Sequence, residues 1–305
     1  MSGSAAGITV GGRGVLADLG PVVEDNLHRH LREAREWFPH QYIPWSRGRD
    51  FDGPQNGEPW APGQSRLSRA ARASLLLGVL TEDNLPSYYH ILLRAFGERA
   101  PWSDWVHRWT AEEGRHSIAL RGYLLTAREV DPVALERFRM CQLTTGYRFD
   151  QDGVLQALAY TTLQEWATRV AHRNAGSASG DPVCDRMMGR IAADENLHMI
   201  FYRNVLQAAL ERDPDAALTA VADVLPGFRL PGHVAADFAA MTRDIVAGGI
   251  YGARIHHEAV VAPFVRKLAL LDIGGLRPEG HQAQERIARF VRHLELVAAR
   301  DLPPR

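Results

Sequence analysis

Lysine is almost missing from this chain of 305 residues: Lys267 stands alone, and the other cationic side chains are arginines. That bias reads as genomic composition rather than function. Cysteine is nearly as scarce. Cys141 and Cys184 form no C-x-x-C pair, which argues against a disulfide framework or a thiolate metal site and fits a reducing compartment. No apolar run approaches the ~18 residues that would cross a bilayer, and the start lacks a basic, apolar, then small-residue signal. A cytoplasmic protein without a transmembrane segment is expected. The formal net charge of −1 supplies no global field for nucleic acid or an anionic membrane.

Alternating strand patterns are also rare, and the punctuation is helical. Asp131-Pro132, Asp181-Pro182 and Asp213-Pro214 each offer a capping carboxylate followed by proline at the first helical position. The periodicity predicts helices near 22–37, 66–95, 102–128, 132–147, 151–174, 182–211, 214–224, 233–248, 250–270 and 279–298. Residues 1–20, which open with a Gly- and Ser-rich Met1–Gly14, are expected to form a flexible tail. Residues 21–305 are expected to form one helical domain, because no linker divides them. Arg47–Ser65 reads as a long surface connection, Ala175–Gly180 as a flexible turn, and Pro303-Pro304 as part of a tail.

Two short stretches repeat one pattern, Glu113-Gly114-Arg115-His116 and Glu195-Asn196-Leu197-His198. Glu82 precedes Glu113 by 31 positions, and Glu165 precedes Glu195 by 30. On all four predicted helices these residues continue the apolar stripe at steps of three and four instead of joining the polar face. A lone Glu-x-x-His is ordinarily a solvated pair. Four carboxylates and two imidazoles on buried faces need a shared compensating charge, since an unpaired buried carboxylate costs several kcal/mol. Two divalent ions balance four carboxylates. One Glu from each of two helices and Glu-x-x-His from each of two others is the donor set of a two-metal helical bundle. Imidazole and carboxylate without thiolate suit iron, or manganese, better than structural zinc. A dioxygen-activating di-iron centre is the reading of the ligands.

Other candidates carry less. Asp104-x-x-His107 is offset from its helix stripe and is expected to face solvent. His256-His257-Glu258 places neighbours about 100° apart on a helix and reads as surface or interface. Gly11-Gly12-Arg13-Gly14 follows no strand and is not a phosphate loop. The tryptophans mostly read as core.

The wider contexts of the motifs resemble the soluble acyl-carrier-protein desaturases, ferritin-like di-iron proteins, in their actinobacterial form. The matching stretches are Trp37-Phe38-Pro39-His40-Gln41-Tyr42-Ile43-Pro44, Thr81-Glu82-Asp83-Asn84-Leu85-Pro86-Ser87-Tyr88 and Trp109-Thr110-Ala111-Glu112-Glu113-Gly114-Arg115-His116. They continue with Tyr160-Thr161-Thr162-Leu163-Gln164-Glu165-Trp166-Ala167-Thr168, Ile191-Ala192-Ala193-Asp194-Glu195-Asn196-Leu197-His198 and Leu230-Pro231-Gly232-His233. The resemblance spans roughly residues 24–270 and fades beyond. Asn196-Leu197 departs from the basic pair of plant members, and Gly114 weakens its helix by about 1 kcal/mol relative to alanine.

The resemblance implies an all-α, ferritin-like bundle whose metal ligands are Glu82, Glu113, His116, Glu165, Glu195 and His198. It implies a hydroxyl role beside the oxygen-binding face for Thr168, and a hydrogen-bonded electron path through Trp37 and Asp194 to His116. The implied reaction uses two iron ions and O2 to insert a cis double bond into a saturated acyl chain on acyl carrier protein. Ferredoxin is the implied electron donor and a homodimer the implied assembly. A di-iron hydroxylase or N-oxygenase, or a non-catalytic metal-binding homologue, remains as an alternative.

Overall fold

A computed structural model describes residues 10–147, 153–230 and 238–300. Among them twelve α-helical segments form, and no strand. The helices are α1 (Val10–Glu33), α2 (Arg69–Glu82), α3 (Leu85–Phe96), α4 (Trp102–Thr126), α5 (Pro132–Thr145) and α6 (Val154–Ala178). They continue with α7 (Pro182–Arg212), α8 (Pro214–Gly227), α9 (Phe238–Ala247), α10 (Ala253–Ile255), α11 (Ala262–Lys267) and α12 (Pro278–Arg300). A π-helical turn, His256–Val261, joins α10 to α11. No described helix is long and apolar enough to cross a membrane.

The three Asp-Pro starts behave as capping chemistry dictates. Asp131 and Asp181 each accept the backbone N–H two residues on, at 2.9 Å, and Asp213 accepts that of Ala216 at 3.2 Å. Helices α2, α4, α7 and α6 close a ring in which each packs on the next, with α6 and α7 forming the most extensive pair. Along this ring the apolar core is split in two. One half holds Trp105, Trp109, Leu158, Tyr202 and Val205; the other holds Leu75, Val79, Leu120, Tyr123, Met188 and Ile191. Helix α4 enters from the first half and α7 from the second. The residues that cross between the halves are the two Glu-x-x-His segments, so a polar layer lies where the antiparallel helices pass each other.

Several boundaries differ from expectation. The predicted tail to residue 20 is helical from Val10, because Val15, Leu16, Leu19 and Val23 form a stripe against the core. Pro21 forfeits one helical bond, which that burial offsets. Helix α1 also stops at Glu33, leaving Trp37 beyond its end. The single helix expected over 66–95 breaks after Glu82, since Pro86 has no N–H for the Glu82 carbonyl four residues back. Ala175–Gly180 is not a free turn: α6 runs to Ala178, and Gly176 lets it approach α7, where an added Cβ would lie 2.8 Å from that of Met188. The helix expected over 250–270 is interrupted by the π-helical turn. Arg47–Ser65 is a connection without α-helix, but it is tied down. The Arg128 guanidinium donates to the carbonyls of Arg49, Asp50, Glu58 and Pro59 at 2.8–3.3 Å. Pro231-Gly232-His233, the predicted helix starts at 151 and 233, and Pro303-Pro304 lie outside the described residues.

Gly114 has no packing reason to lack a side chain, because a Cβ there would meet only Leu85 Cδ2 at 4.0 Å. Gly114→Ala should therefore stabilise the protein by about 0.5–1 kcal/mol, the usual helix-interior difference. Urea denaturation checks this, and a destabilised variant would show that the backbone there needs glycine.

Candidate metal centre

Each of the four ring helices delivers its predicted residues to the polar layer. Glu82 ends α2, Glu113 and His116 share one face of α4, Glu165 sits midway along α6, and Glu195 and His198 share one face of α7. All six are buried, none more than 6% exposed. Donor atoms of Glu82, Glu113, His116 and Glu195 lie within 4.8 Å of one another, and so do those of Glu113, Glu165, Glu195 and His198. The two tetrads share Glu113 and Glu195. Such a donor set would suit two neighbouring cations, each tetrad offering one imidazole and one carboxylate of its own besides the shared Glu113 and Glu195.

The orphaned atoms fit such a pair. His198 Nδ1 lies 2.9 Å from Glu113 Oε1 and 3.6 Å from Glu165 Oε2. These three buried atoms make no hydrogen bond, although a buried polar atom without a partner costs about 1–3 kcal/mol. His116 Nδ1 faces Glu113 Oε2 at 3.1 Å and Glu195 Oε1 at 3.5 Å. Both histidines thus turn Nδ1 toward the cluster and Nε2 away.

What meets each outward nitrogen follows one design. Asp194 Oδ2 stands 3.4 Å from His116 Nε2 and accepts the Trp37 indole N–H at 2.6 Å. The Trp37 ring lies nearly parallel to that of His116, with centroids 6.3 Å apart, and the guanidiniums of Arg115 and Arg190 lie over its face. On the other side Glu112 Oε2 stands 2.9 Å from His198 Nε2 and 2.9 Å from His30 Nε2. Sequence reasoning missed Glu112 and His30. The signal was available: an acidic residue precedes both motifs, Glu112 before Glu113 and Asp194 before Glu195, and each serves the histidine of the opposite helix. Such a carboxylate fixes imidazole tautomer and orientation. Two more residues were missed. Trp109, read as core, donates its indole N–H to Glu165 Oε1 at 3.0 Å, and His172 places Nε2 3.3 Å from Glu82 Oε1.

The Thr168 hydroxyl lies 3.1 Å from Glu195 Oε2 and 3.0 Å from the Gln164 carbonyl. Thr168 also lines a largely apolar cavity of about 630 Å3, which Glu82, His172, Phe228, Tyr251 and Val246 help to line. Val246 is exposed, so this cavity meets the surface. His256, read as surface or interface, is half-buried and lines the cavity, bonded to the Tyr251 hydroxyl at 2.9 Å and stacked on Phe228. Glu258 is exposed. Asp104 and His107 are exposed, as their offset from the stripe implied.

Electrostatics in the layer are unbalanced without cations. Burial first, then the neighbouring carboxylates, pushes Glu82 and Glu165 well above the ordinary value of 4.5. For His116 and His198 burial opposes the charge, but the surrounding carboxylates win and raise both well above 6.5. Burial likewise opposes ionisation of Glu112 and Asp194, yet their imidazole partners hold both low. Groups with raised values stabilise the fold fully below their unfolded values and lose that contribution as pH climbs through the folded ones. Glu112 and Asp194 act oppositely, losing theirs in acid. The metal-free protein should therefore lose thermal stability as pH rises above about 4.5, where Glu82 and Glu165 begin to contribute less, and further above about 6.5, where His116 and His198 follow. Divalent metal, which replaces those protons, should restore more stability the higher the pH. Melting curves at several pH values, with and without metal, test this; a metal effect independent of pH would contradict it. Glu112→Ala should lower metal affinity about 10–100-fold, measured by chelator competition, whereas unchanged affinity would reduce Glu112 to packing.

The profile of a family described as fatty acid desaturase matches residues 12–302, reaching past residue 270, where the motif resemblance faded. A Mycobacterium tuberculosis protein named as an acyl-[acyl-carrier-protein] desaturase, DesA1, is 41% identical over 291 residues, covering 93% of this chain and 86% of the relative. Stearoyl-[acyl-carrier-protein] 9-desaturase 6 of Arabidopsis thaliana is 31% identical over 245 residues, 73% of this chain and 61% of that one. The X-ray structure of DesA2 from M. tuberculosis, titled an acyl-ACP desaturase, superposes with a TM-score of 0.73 at 28% identity, covering 88% of this chain and 99% of the other. A ferritin-like bundle, buried clusters compatible with a di-iron site, and relatives of this kind lead to one assignment: the chain belongs to the acyl-acyl-carrier-protein desaturases, oxidoreductases that desaturate fatty acyl chains on acyl carrier protein.

Proposed function

We propose that this desaturase is a di-iron, O2-dependent enzyme that introduces a cis double bond, with electrons from a ferredoxin-type donor. The reading rests above all on one observation: the two tetrads that share Glu113 and Glu195 adjoin, through Glu82 and Thr168, an apolar cavity open to the surface. Glu82, Glu113, His116, Glu165, Glu195 and His198 would hold the two irons. Bound iron would supply activation of dioxygen and removal of hydrogens from unactivated carbons.

The chain's own residues do the rest. The apolar wall draws a saturated chain out of water at about 25 cal/mol per Å2 buried, and its shape selects the methylenes that stop beside Glu82 and Thr168. The Thr168 hydroxyl, already close to Glu195, is placed to bond an oxygen-bearing group at the cavity edge. Trp37, bonded to Asp194 and stacked near His116, is the proposed inward route for electrons, with Arg115 and Arg190 paired to Asp194 beside it. We extend the proposal to a homodimer working in the cytoplasm, where the free thiols Cys141 and Cys184 remain reduced.

Glu113→Ala and His198→Ala should each abolish stoichiometric iron binding and activity, measured by metal analysis and turnover. Saturated acyl carrier protein, reduced ferredoxin and oxygen should yield acyl chains lighter by two hydrogens in mass spectra. A gain of one oxygen atom would instead favour the hydroxylase reading, and full iron content in either variant would remove that residue from the ligand set.

A further inference from the structure

We propose that His256 anchors the thioester carbonyl of the carrier-bound acyl chain through its Nε2–H, and so sets which methylenes come to rest beside the metal cluster. The inference rests on the desaturase reading of the site and adds the residue that fixes the register of the chain.

An apolar wall cannot set that register alone. Hydrophobic burial is non-directional, so a chain that slides by one methylene within the 630 Å3 cavity keeps most of its buried surface. A directional contact near the carrier end is needed. The cavity has two distinguishable ends: Glu82 and Thr168 form the inner one, while Val246 and Arg229, both exposed, mark the outer one. His256 belongs to the outer part, since it stacks on Phe228, the chain neighbour of Arg229. Followed outward, a saturated chain offers its first polar atoms at the thioester.

The imidazole is held before any chain arrives. Its ring lies within 3° of parallel to that of Phe228, with centroids 5.5 Å apart, and Nδ1 is bonded to the Tyr251 hydroxyl at 2.9 Å. Its backbone opens the π-helical turn His256–Val261, a feature frequent at functional sites. No described residue is bonded to Nε2. Two other polar groups of the cavity are already committed: the Thr242 hydroxyl donates to the Phe238 carbonyl at 2.8 Å, and the Arg229 guanidinium to the Phe228 carbonyl at 2.7 Å.

The charge state of the ring suits a neutral acceptor. Burial, then the Arg229 and His257 charges, pushes His256 down to about 4, so near neutral pH it carries a single N–H. Burial pushes Tyr251 up, and its hydroxyl keeps the proton that it donates to Nδ1. The ring's own N–H then sits on Nε2, and a carbonyl oxygen, which only accepts, is its complement.

The test uses full-length protein loaded with zinc, which fills the ligands without redox chemistry. It is titrated with carrier protein bearing the same saturated chain as a thioester or as a thioether, in which a methylene replaces the carbonyl. The affinity ratio should favour the thioester about fivefold more in wild type than in His256→Leu, the worth of one neutral hydrogen bond. General packing cancels from that comparison. His256→Gln, which keeps an N–H, should recover part of the difference, and Tyr251→Phe, which leaves Nδ1 competing for the proton, should lose part of it. With iron, wild type should give one double-bond position and His256→Leu a spread over neighbouring ones. Equal ratios in wild type and His256→Leu, or an unchanged double-bond position in that variant, would overturn the proposal. The predicted ratios with no unsaturated product from iron-loaded wild type would leave the anchor standing and retire the proposed reaction instead.

Discussion

Six ionisable side chains occupy one buried layer of this bundle, and their mutual repulsion is the constraint around which the rest is arranged. Four carboxylates removed from water cannot all ionise there without positive charge beside them. Burial and the neighbouring carboxylates push Glu82 and Glu165 well above the ordinary carboxylate value, and the carboxylates raise His116 and His198 well above the ordinary imidazole value, so the metal-free layer favours bound protons. Two divalent cations satisfy the same layer with charge to match. The apolar halves on either side supply the packing that keeps the donors converged even though they repel.

The outer residues show how that convergence becomes directional. Asp194 and Glu112 each precede a glutamate of the cluster, and each reaches across to the histidine of the other motif. The exchange ties α4 to α7 twice, once at either end of the layer. The partners behind them differ: Trp37 stands behind Asp194, and His30 stands behind Glu112. One end thus carries an aromatic ring flanked by arginines and the other a buried imidazole stacked near His198. The two metal positions are alike in their inner donors and unlike in their surroundings, which gives a near-symmetric cluster two chemically distinct sides.

Much of this was legible from the amino-acid order because the site is built on regular helices. A residue's face on α4 or α7 follows from its spacing, so Glu113, His116, Glu195 and His198 could be placed inward before any coordinates. The Asp-Pro caps were equally local and equally readable. What escaped depended on contacts between distant segments. Glu112 looks like an ordinary helix-face acid until His30, from α1, is seen behind it. The break after Glu82 needed the backbone consequence of Pro86, and the helical Val10–Glu33 needed the tertiary burial of Leu19 and Val23, which outweighs the effect of a glycine-rich start and an internal proline. The place of His256 in the cavity escaped because Phe228 and Tyr251, which hold it there, come from separate segments. The cavity, formed by side chains from six helical segments and the residues between them, has no sequence signature.

The most direct measurement is anomalous diffraction at the iron edge from crystals of the iron-loaded protein. The account predicts two peaks per chain inside the ring of α2, α4, α6 and α7, both in contact with Glu113 and Glu195, one also with His116 and the other with His198. A single peak, or peaks away from those two glutamates, would contradict it.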